Sequence, residues 1–103
     1  MRSAEHDAIN GLLLADPVCE EIAAYLSCYT HAVDTARGIA EWWIDRDLGR
    51  TERALEKLAD HGVLRVYLNG PTRVYGLSRN PFVRRAVAAH VKSAGPPRRT
   101  AER

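Results

Sequence analysis

The apolar positions of this chain recur at helical spacing in five segments. Residues three and four positions apart share one face of an α-helix, and a small domain buries such a face. On this basis we predict helices over 4–14, 17–32, 35–44, 48–61 and 81–93. One further segment, "VLRVYLNGPTRVYGL" at 63–77, alternates apolar and polar residues around an Asn-Gly step, which is typical of a β-hairpin.

Local signals mark where these helices begin and end. The predicted N-caps are Asp16 before Pro17, Asp34, Asp47, and Asn80 before Pro81. A side-chain oxygen at this position accepts a hydrogen bond from the first helical turn, and proline is favoured just after it. Gly62 follows the fourth predicted helix as a C-terminal stop.

The order of these elements predicts a fold. A helix pair joined by a short turn and followed directly by a two-stranded hairpin is the plan of a winged helix-turn-helix. The predicted fold class is therefore mainly α with a small β-hairpin, with about five helices and a two-stranded wing. Residues 1–93 would form a single domain, and the Pro/Gly/Arg-rich residues 94–103 would form a disordered basic tail.

Length and charge narrow the classes of function. The 103 residues are enough for one small domain, and no run of 18 apolar residues is present. We expect a cytoplasmic protein without a membrane partner. The net charge of +2 hides an asymmetry, because residues 1–33 hold five acidic residues and one basic, while residues 34–103 hold 14 basic and eight acidic. Such segregation favours a half of the chain that binds a polyanion. The alternative is that the composition of this half has drifted toward arginine without a binding role.

The predicted helix over 48–61 has a basic side. Arg50, Arg53 and Lys57 are spaced i, i+3, i+7 and share one face, and Arg46 lies in the turn just before them. Arginine bonds bidentately to guanine, and the start of a recognition helix is the part that usually reaches base edges. These four residues are candidate contacts to double-stranded DNA.

The same helix also supports a different interpretation. Thr51 could contact a phosphate, but its spacing equally fits the buried face. Glu52, Glu56 and Asp60 form an acidic row on the neighbouring face, where they would face solvent or pair with the basic residues beside them. A solvated helix of mixed charge is therefore the alternative to a DNA-reading helix.

The predicted hairpin favours the DNA-reading interpretation. Its tip combines small residues, which allow close approach of the backbone, with an arginine that could reach a phosphate or the minor groove. The candidate contacts here are Asn69, Thr72 and Arg73, with Arg65 at the base of the hairpin. Several phosphate contacts would make binding strongly dependent on salt.

Three stretches resemble one group of bacterial repressors. They are "LLLADP" at 12–17, "RTERALEKLADHGVL" at 50–64 and "GPTRVYGLS" at 70–78. They resemble the start of the second helix, the recognition helix and the wing of the ArsR/SmtB family, and the second stretch is also similar to MarR-like helices. The resemblance implies a homodimeric transcriptional regulator, most simply a repressor, whose outer helices 4–14 and 81–93 form the dimer interface. It also implies that Arg50, Thr51 and Arg53 contact DNA.

The sequence gives little support for a metal site, a cofactor site or a catalytic site. The segment "TARGIAEWW" at 35–43 lacks the cysteine-containing box of the metal-sensing relatives, and the four histidines show no ligand spacing, so neither a metal nor a cofactor is expected. The serines have no evident His and Asp partners, so we do not expect an enzyme. An adaptor module that binds another protein is the second hypothesis.

Two pairs of residues leave a third hypothesis open, that of a sensor for an effector of unidentified chemistry. Cys19 and Cys28 are expected to be buried or half-buried small residues, with a redox role as the alternative. Trp42 and Trp43 are adjacent, so only one can face the core, and Trp43 fits the inward spacing. Trp42 would then be partly exposed, unless both rings pack under neighbouring loops.

Overall fold

The structure, a computed structural model, describes residues 2–94, with side chains from residue 8 to residue 92. It is mainly helical and contains a small antiparallel sheet. The helices are α1 (Arg2–Ala15), α2 (Pro17–Cys28), α3 (Ala36–Gly38), α4 (Leu48–Asp60) and α5 (Pro81–Ala94), and a π-helical segment (Ile39–Trp43) follows α3 directly. The strands are β1 (Val33–Thr35), β2 (Leu64–Asn69) and β3 (Thr72–Leu77). Apart from Ala94, the predicted disordered tail lies outside the described residues.

Three of the four predicted caps are confirmed. The side-chain oxygens of Asp16, Asp47 and Asn80 each accept a backbone N–H two or three positions further along, at 2.9, 2.8 and 2.8 Å. Gly62 has φ +75°, a left-handed conformation that glycine adopts without steric cost, so it ends α4 as predicted. The signals that mark these boundaries are local, because each cap bonds to its own first turn.

The predicted helix over 35–44 is confirmed from Ala36 to Trp43, but it begins one residue later than predicted and has a different cap. Val33–Thr35 is a strand, and Thr35, not Asp34, caps the helix, since its hydroxyl accepts the Gly38 N–H at 3.1 Å. Asp34 lies in β1 opposite Tyr75 of β3. The two β-branched residues of this strand favour an extended backbone, and pairing with β3 stabilises it.

The second part of this helix is π-helical. The Ile44 N–H donates to the Ile39 carbonyl at 3.2 Å, five residues back, which is the bond that widens a helical turn. Asp45 then takes φ +54° and ends the helix. Trp43 is buried as predicted and stacks on Tyr25 with ring centroids 4.4 Å apart. Trp42 is 80% exposed, which confirms that only one of the two tryptophans faces the core.

The sheet has three strands rather than the predicted two, in the order β1-β3-β2. Both pairings are antiparallel, and Gly76 of β3 lies between Val33 of β1 and Arg65 of β2. A Cβ added at Gly76 would lie 2.7 Å from Val33 Cγ1, so a larger residue at position 76 would have to displace the Val33 side chain of β1. Three residues are too few to show alternation, which is why the sequence did not predict β1.

The hydrophobic core joins every helix to the sheet. Its fully buried large side chains come from α1, α2, the π-helical segment, α4, the residue before β2 and α5, and they are Leu13, Val18, Ile22, Leu26, Ile39, Leu55, Leu58, Val63 and Val87. α2 ends at Cys28 rather than near residue 32, and Cys28 is exposed, so the prediction that both cysteines are at least half-buried is wrong for this one. Within the described residues, none of the helices is both long and apolar enough to cross a membrane.

A buried polar cluster holds the outer helices together. His90 of α5 is buried, with Nδ1 2.6 Å from Asn10 Oδ1 of α1 and Nε2 2.7 Å from Glu20 Oε2 of α2. The apolar side chains beside it, Ile9 and Ala86, are buried within the single chain. The apolar stripes of α1 and α5 are thus largely used inside one protomer, and they no longer argue by themselves for a dimer interface.

Candidate functional site

Helix α4 separates a buried apolar face from a charged face. Thr51, Ala54, Leu55 and Leu58 are buried, and they occupy one side of the helix at i, i+3, i+4 and i+7. The exposed side carries three cations and three carboxylates, namely Arg50, Glu52, Arg53, Glu56, Lys57 and Asp60. The burial of the apolar face orients all six charges toward solvent and so defines the surface that the helix offers to a partner.

Among the residues whose side chains the structure describes, Arg50 and Arg53 are the cations of this surface without an ion-pair partner. Both lie in the first two turns of α4 and are exposed. Within residues 8–92, neither guanidinium has an ion-pair partner. The carboxylate nearest in sequence, Asp47, is bonded to the Arg50 backbone N–H as the helix cap. The two guanidinium groups are therefore available to an external anion.

Lys57 is exposed, but it is not available in the same way. Its ammonium donates a hydrogen bond to Asp16 Oδ2 at 3.0 Å, which ties α4 to the N-cap of α2. This hydrogen bond and the charge of Asp16 raise the pKa of Lys57. Burial raises the pKa of the Asp16 carboxyl, but hydrogen bonds from Lys57 and the Val18 N–H, with the charge of Lys57, outweigh it and lower the pKa.

Arg46 is likewise bound inside the protein. Its guanidinium makes two parallel hydrogen bonds to the carboxylate of Glu21 on α2, Nε to Oε1 at 2.9 Å and Nη2 to Oε2 at 2.5 Å. Such a bidentate pair is geometrically specific, and it raises the pKa of Arg46. A phosphate would have to displace Glu21 to reach this side chain. Arg46 therefore fixes the turn before α4 instead of extending the exposed cationic surface.

Thr51 does not belong to the surface, so the expected DNA contact is corrected here. Its side chain is fully buried, and its hydroxyl donates to the Asp47 carbonyl at 2.8 Å. Thr51 lies on the buried apolar face of α4, a position that its spacing in the sequence also allowed. Its role is to close the first turn of α4 from within.

The acidic row remains next to the two free arginines. Glu52, Glu56 and Asp60 are exposed, and within the described residues none of them pairs with a cation of α4. Of the two arrangements that the sequence allowed, the row thus faces solvent, and Lys57 reaches across to Asp16 at the N-cap of α2. The exposed face of α4 therefore has a cationic N-terminal side and an anionic side.

The four candidate residues of the hairpin lie on different surfaces. Asn69, Thr72 and Arg73 are exposed at its tip. Arg65 lies at the base of the hairpin, on the opposite face of the sheet from Arg73, because Arg73 pairs with Leu68 and Arg65 lies an odd number of positions before Leu68. The Arg65 guanidinium lies 4.5 Å from the centroid of the Tyr67 ring. Asn69 pairs with Thr72 on the same face as Arg65, so three of the four candidates share one face of the hairpin and Arg73 lies on the other.

The hairpin belongs to a segment of the chain without acidic residues, which is visible in the sequence alone. From residue 61 to residue 92 the chain has six basic residues, Arg65, Arg73, Arg79, Arg84, Arg85 and Lys92, and no acidic one. The acid-free segment contains the whole β2–β3 hairpin and most of α5. An anionic partner meets no repulsive side chain on this segment, whereas on α4 it meets the acidic row.

The candidate surface consists of Arg50 and Arg53 on α4 and of the tip of the β2–β3 hairpin. Comparison with known proteins assigns no function to this surface. Within the described residues, no three His, Cys, Asp or Glu side chains lie close enough together to hold a metal ion. No protein-family model, curated protein or solved structure matches the chain.

Proposed function

We propose that the protein binds double-stranded DNA in a sequence-specific manner and acts as a transcriptional regulator. The observation that supports this function most directly is the state of the cations around α4. Arg46 and Lys57 are bound to carboxylates of α2, while Arg50 and Arg53 are exposed and have no such partner within the described residues. Two guanidinium groups held at a helix N-terminus suit both phosphates and guanine edges.

The architecture supports a winged helix-turn-helix, in agreement with the resemblance to ArsR/SmtB repressors. A short helical segment precedes α4 across the turn at 44–47, and the hairpin of β2 and β3 follows α4 directly. In this proposal α4 enters the major groove and the hairpin is the wing that reaches the flanking backbone. Salt bridges from Asp16 and Glu21 hold α4 and the preceding turn at a fixed position relative to α2.

A homodimer completes the proposal, because two copies would read two half-sites about 34–36 Å apart along the duplex. The direct experiment is selection of genomic fragments with the purified full chain, run beside sedimentation equilibrium. The proposal expects enrichment of a common inverted repeat and a mass of two chains on the selected fragment. Recovery of random fragments without a shared sequence would contradict sequence-specific binding.

A protein-binding adaptor is the second candidate, and the exposed acidic row of Glu52, Glu56 and Asp60 favours it. These carboxylates would repel DNA phosphates but would suit a basic partner. The two functions differ in their response to polyanions. A DNA-binding protein is retained on heparin or random duplex DNA at low salt and elutes as salt rises, whereas an adaptor of this kind passes through both columns.

A further inference from the structure

One face of the β2–β3 hairpin changes from buried side chains at its base to exposed side chains near its tip. Side chains of paired residues lie on the same face, so the register defines three successive rows on it. The first row, Leu64 with Leu77, is buried in the core. The second pairs the exposed Val66 with the buried Tyr75, and the third pairs Leu68 with Arg73 near the tip. The apolar face thus continues beyond the helical body into solvent.

Leu68 is exposed for no reason that the fold supplies. At 75% exposure it is the most exposed large aliphatic side chain among the residues whose side chains the structure describes. The core ends one row earlier, at Tyr75, so Leu68 adds nothing to the packing. Because Leu68 lies on a protruding hairpin directly across from Arg73, this apolar side chain is available, together with a cation, for a contact with another molecule.

The surroundings of Leu68 indicate the chemistry of that molecule. Arg73 lies directly across from it on the same face, and its guanidinium is 6.0 Å from the centroid of the Tyr75 ring. The residues at the turn, from Asn69 to Thr72, are uncharged, and Gly70 at φ +65° keeps the turn tight. Because the hairpin lies in the acid-free segment, the tip combines an apolar side chain, a cation and no anion. This combination matches a polyanion that also offers an apolar interior.

We propose that the hairpin tip enters the minor groove of duplex DNA and presses Leu68 against a base step as a wedge. The inference rests on the proposed DNA-binding function and adds a role in shape recognition to it. Apolar side chains inserted in this way unstack a step and bend the duplex. Arg73, on the same face, faces the groove and holds the tip against the phosphates.

The wedge makes a prediction that a simple arginine contact does not. Pyrimidine–purine steps such as TpA are the easiest to unstack, so a leucine wedge favours them. A-tracts are stiff and have a narrow groove with enhanced negative potential, so insertion of Arg73 alone would favour those instead. Two duplexes of the same base composition, one of alternating TpA steps and one of A-tracts, therefore separate the two modes.

The experiment measures affinity and end-to-end energy transfer on these two 30-base-pair duplexes at low salt. The wild-type chain is expected to bind the TpA duplex about 10-fold more tightly than the A-tract duplex and to shorten it. L68A should lose the preference and the bend but retain binding through its arginines. L14A, which removes another exposed leucine on α1, is the matched control and should behave like wild type. Circular dichroism checks that each variant is folded.

The outcomes distinguish this inference from the function on which it rests. If the wild-type chain binds neither duplex, the DNA-binding function fails and the wedge fails with it. If it binds both duplexes equally, or if L68A keeps the preference and the bend, only the wedge is overturned. If L68A binds both duplexes as the wild type does but loses a self-association that the wild type shows in sedimentation equilibrium, Leu68 is assigned to a contact with a second copy of the chain, and the wedge is overturned.

Discussion

The Lys57 ammonium lies 3.0 Å from Asp16 Oδ2, so a cation of α4 is bound to the residue that caps α2. Asp16 therefore has two roles, because its Oδ1 accepts the Val18 N–H at 2.9 Å while Oδ2 accepts from Lys57. One side chain both starts a helix and positions its neighbour. Because Lys57 pairs with Asp16 and Arg46 pairs with Glu21, these two cations are occupied, and Arg50 and Arg53 remain as the available cations near the start of α4.

The double role of Asp16 predicts a stability that depends on pH. Its pKa in the folded protein is lowered from 3.8, so its charge contributes stability fully above that value, and the contribution is lost as the pH falls through the lowered pKa. The excess stability of wild type over D16N should therefore shrink in acid. D16A removes the cap as well and should cost about 1 kcal/mol more. Urea unfolding at several pH values measures both, and a constant difference between wild type and D16N from neutral pH to pH 3 would contradict this role.

Thr51 should matter for stability and not for DNA binding. Its buried hydroxyl donates to the Asp47 carbonyl, and T51V keeps the shape of the side chain while removing that donor. The expected loss is about 1 kcal/mol in the free energy of unfolding. Affinity for the selected DNA, measured well below the melting temperature, should stay at the wild-type value, and so should that of T51S, which keeps the donor but loses about 1 kcal/mol through the missing buried methyl group. A loss of affinity in folded T51V would place Thr51 back on the binding surface.

Gly76 should be required by the close approach of β1. An alanine there would place its Cβ 2.7 Å from Val33 Cγ1, so G76A should cost about 1–3 kcal/mol. V33A removes an exposed side chain and should by itself change stability by about 0.5 kcal/mol or less. Thermal or urea unfolding of the double variant should recover much of the loss. Strict additivity of the two changes would show that the two positions are not in contact.

The two cysteines should differ in reactivity. Cys19 is buried, and burial raises its pKa to about 12, while Cys28 is exposed at the end of α2. The thiolate is the reactive form, so iodoacetamide at pH 8 should modify Cys28 and leave Cys19 intact. Mass spectrometry should find one adduct on the native chain, none on native C28S and two on the wild type in urea. Rapid labelling of Cys19 in native C28S would mean that this part of the core opens.

The elements that could be predicted from the sequence are those with local causes. The caps Asp16, Asp47 and Asn80 bond within their own first turns, and Gly62 ends α4 by its own backbone conformation. Strand β1 has only the weak local preference of its two β-branched residues, and it is the pairing with β3 that stabilises it.

The candidate site also contains residues that local patterns could place and residues whose position depends on packing between helices. The apolar spacing of α4 placed Arg50 and Arg53 on its outer face correctly, and it left Thr51 open between two roles that only the packing could decide. The partners of Lys57 and Arg46 lie 41 and 25 residues away in the sequence, so their pairing depends on the packing of α2 against α4. No pattern within a single helix reports a salt bridge between two helices. The acid-free segment, by contrast, could have been recognised from the sequence alone.

The central claim is that Arg50 and Arg53 are the cations that read DNA. The most direct measurement is the affinity of R50A/R53A for a selected genomic fragment, by fluorescence anisotropy, beside wild type and R85A/K92A. The control removes the same charge from two exposed positions of α5. The claim predicts that R50A/R53A loses about 100-fold or more in affinity, since each bidentate contact contributes about 1–3 kcal/mol, while R85A/K92A loses far less and both variants stay folded. Equal losses in the two variants, or wild-type affinity in R50A/R53A, would contradict it.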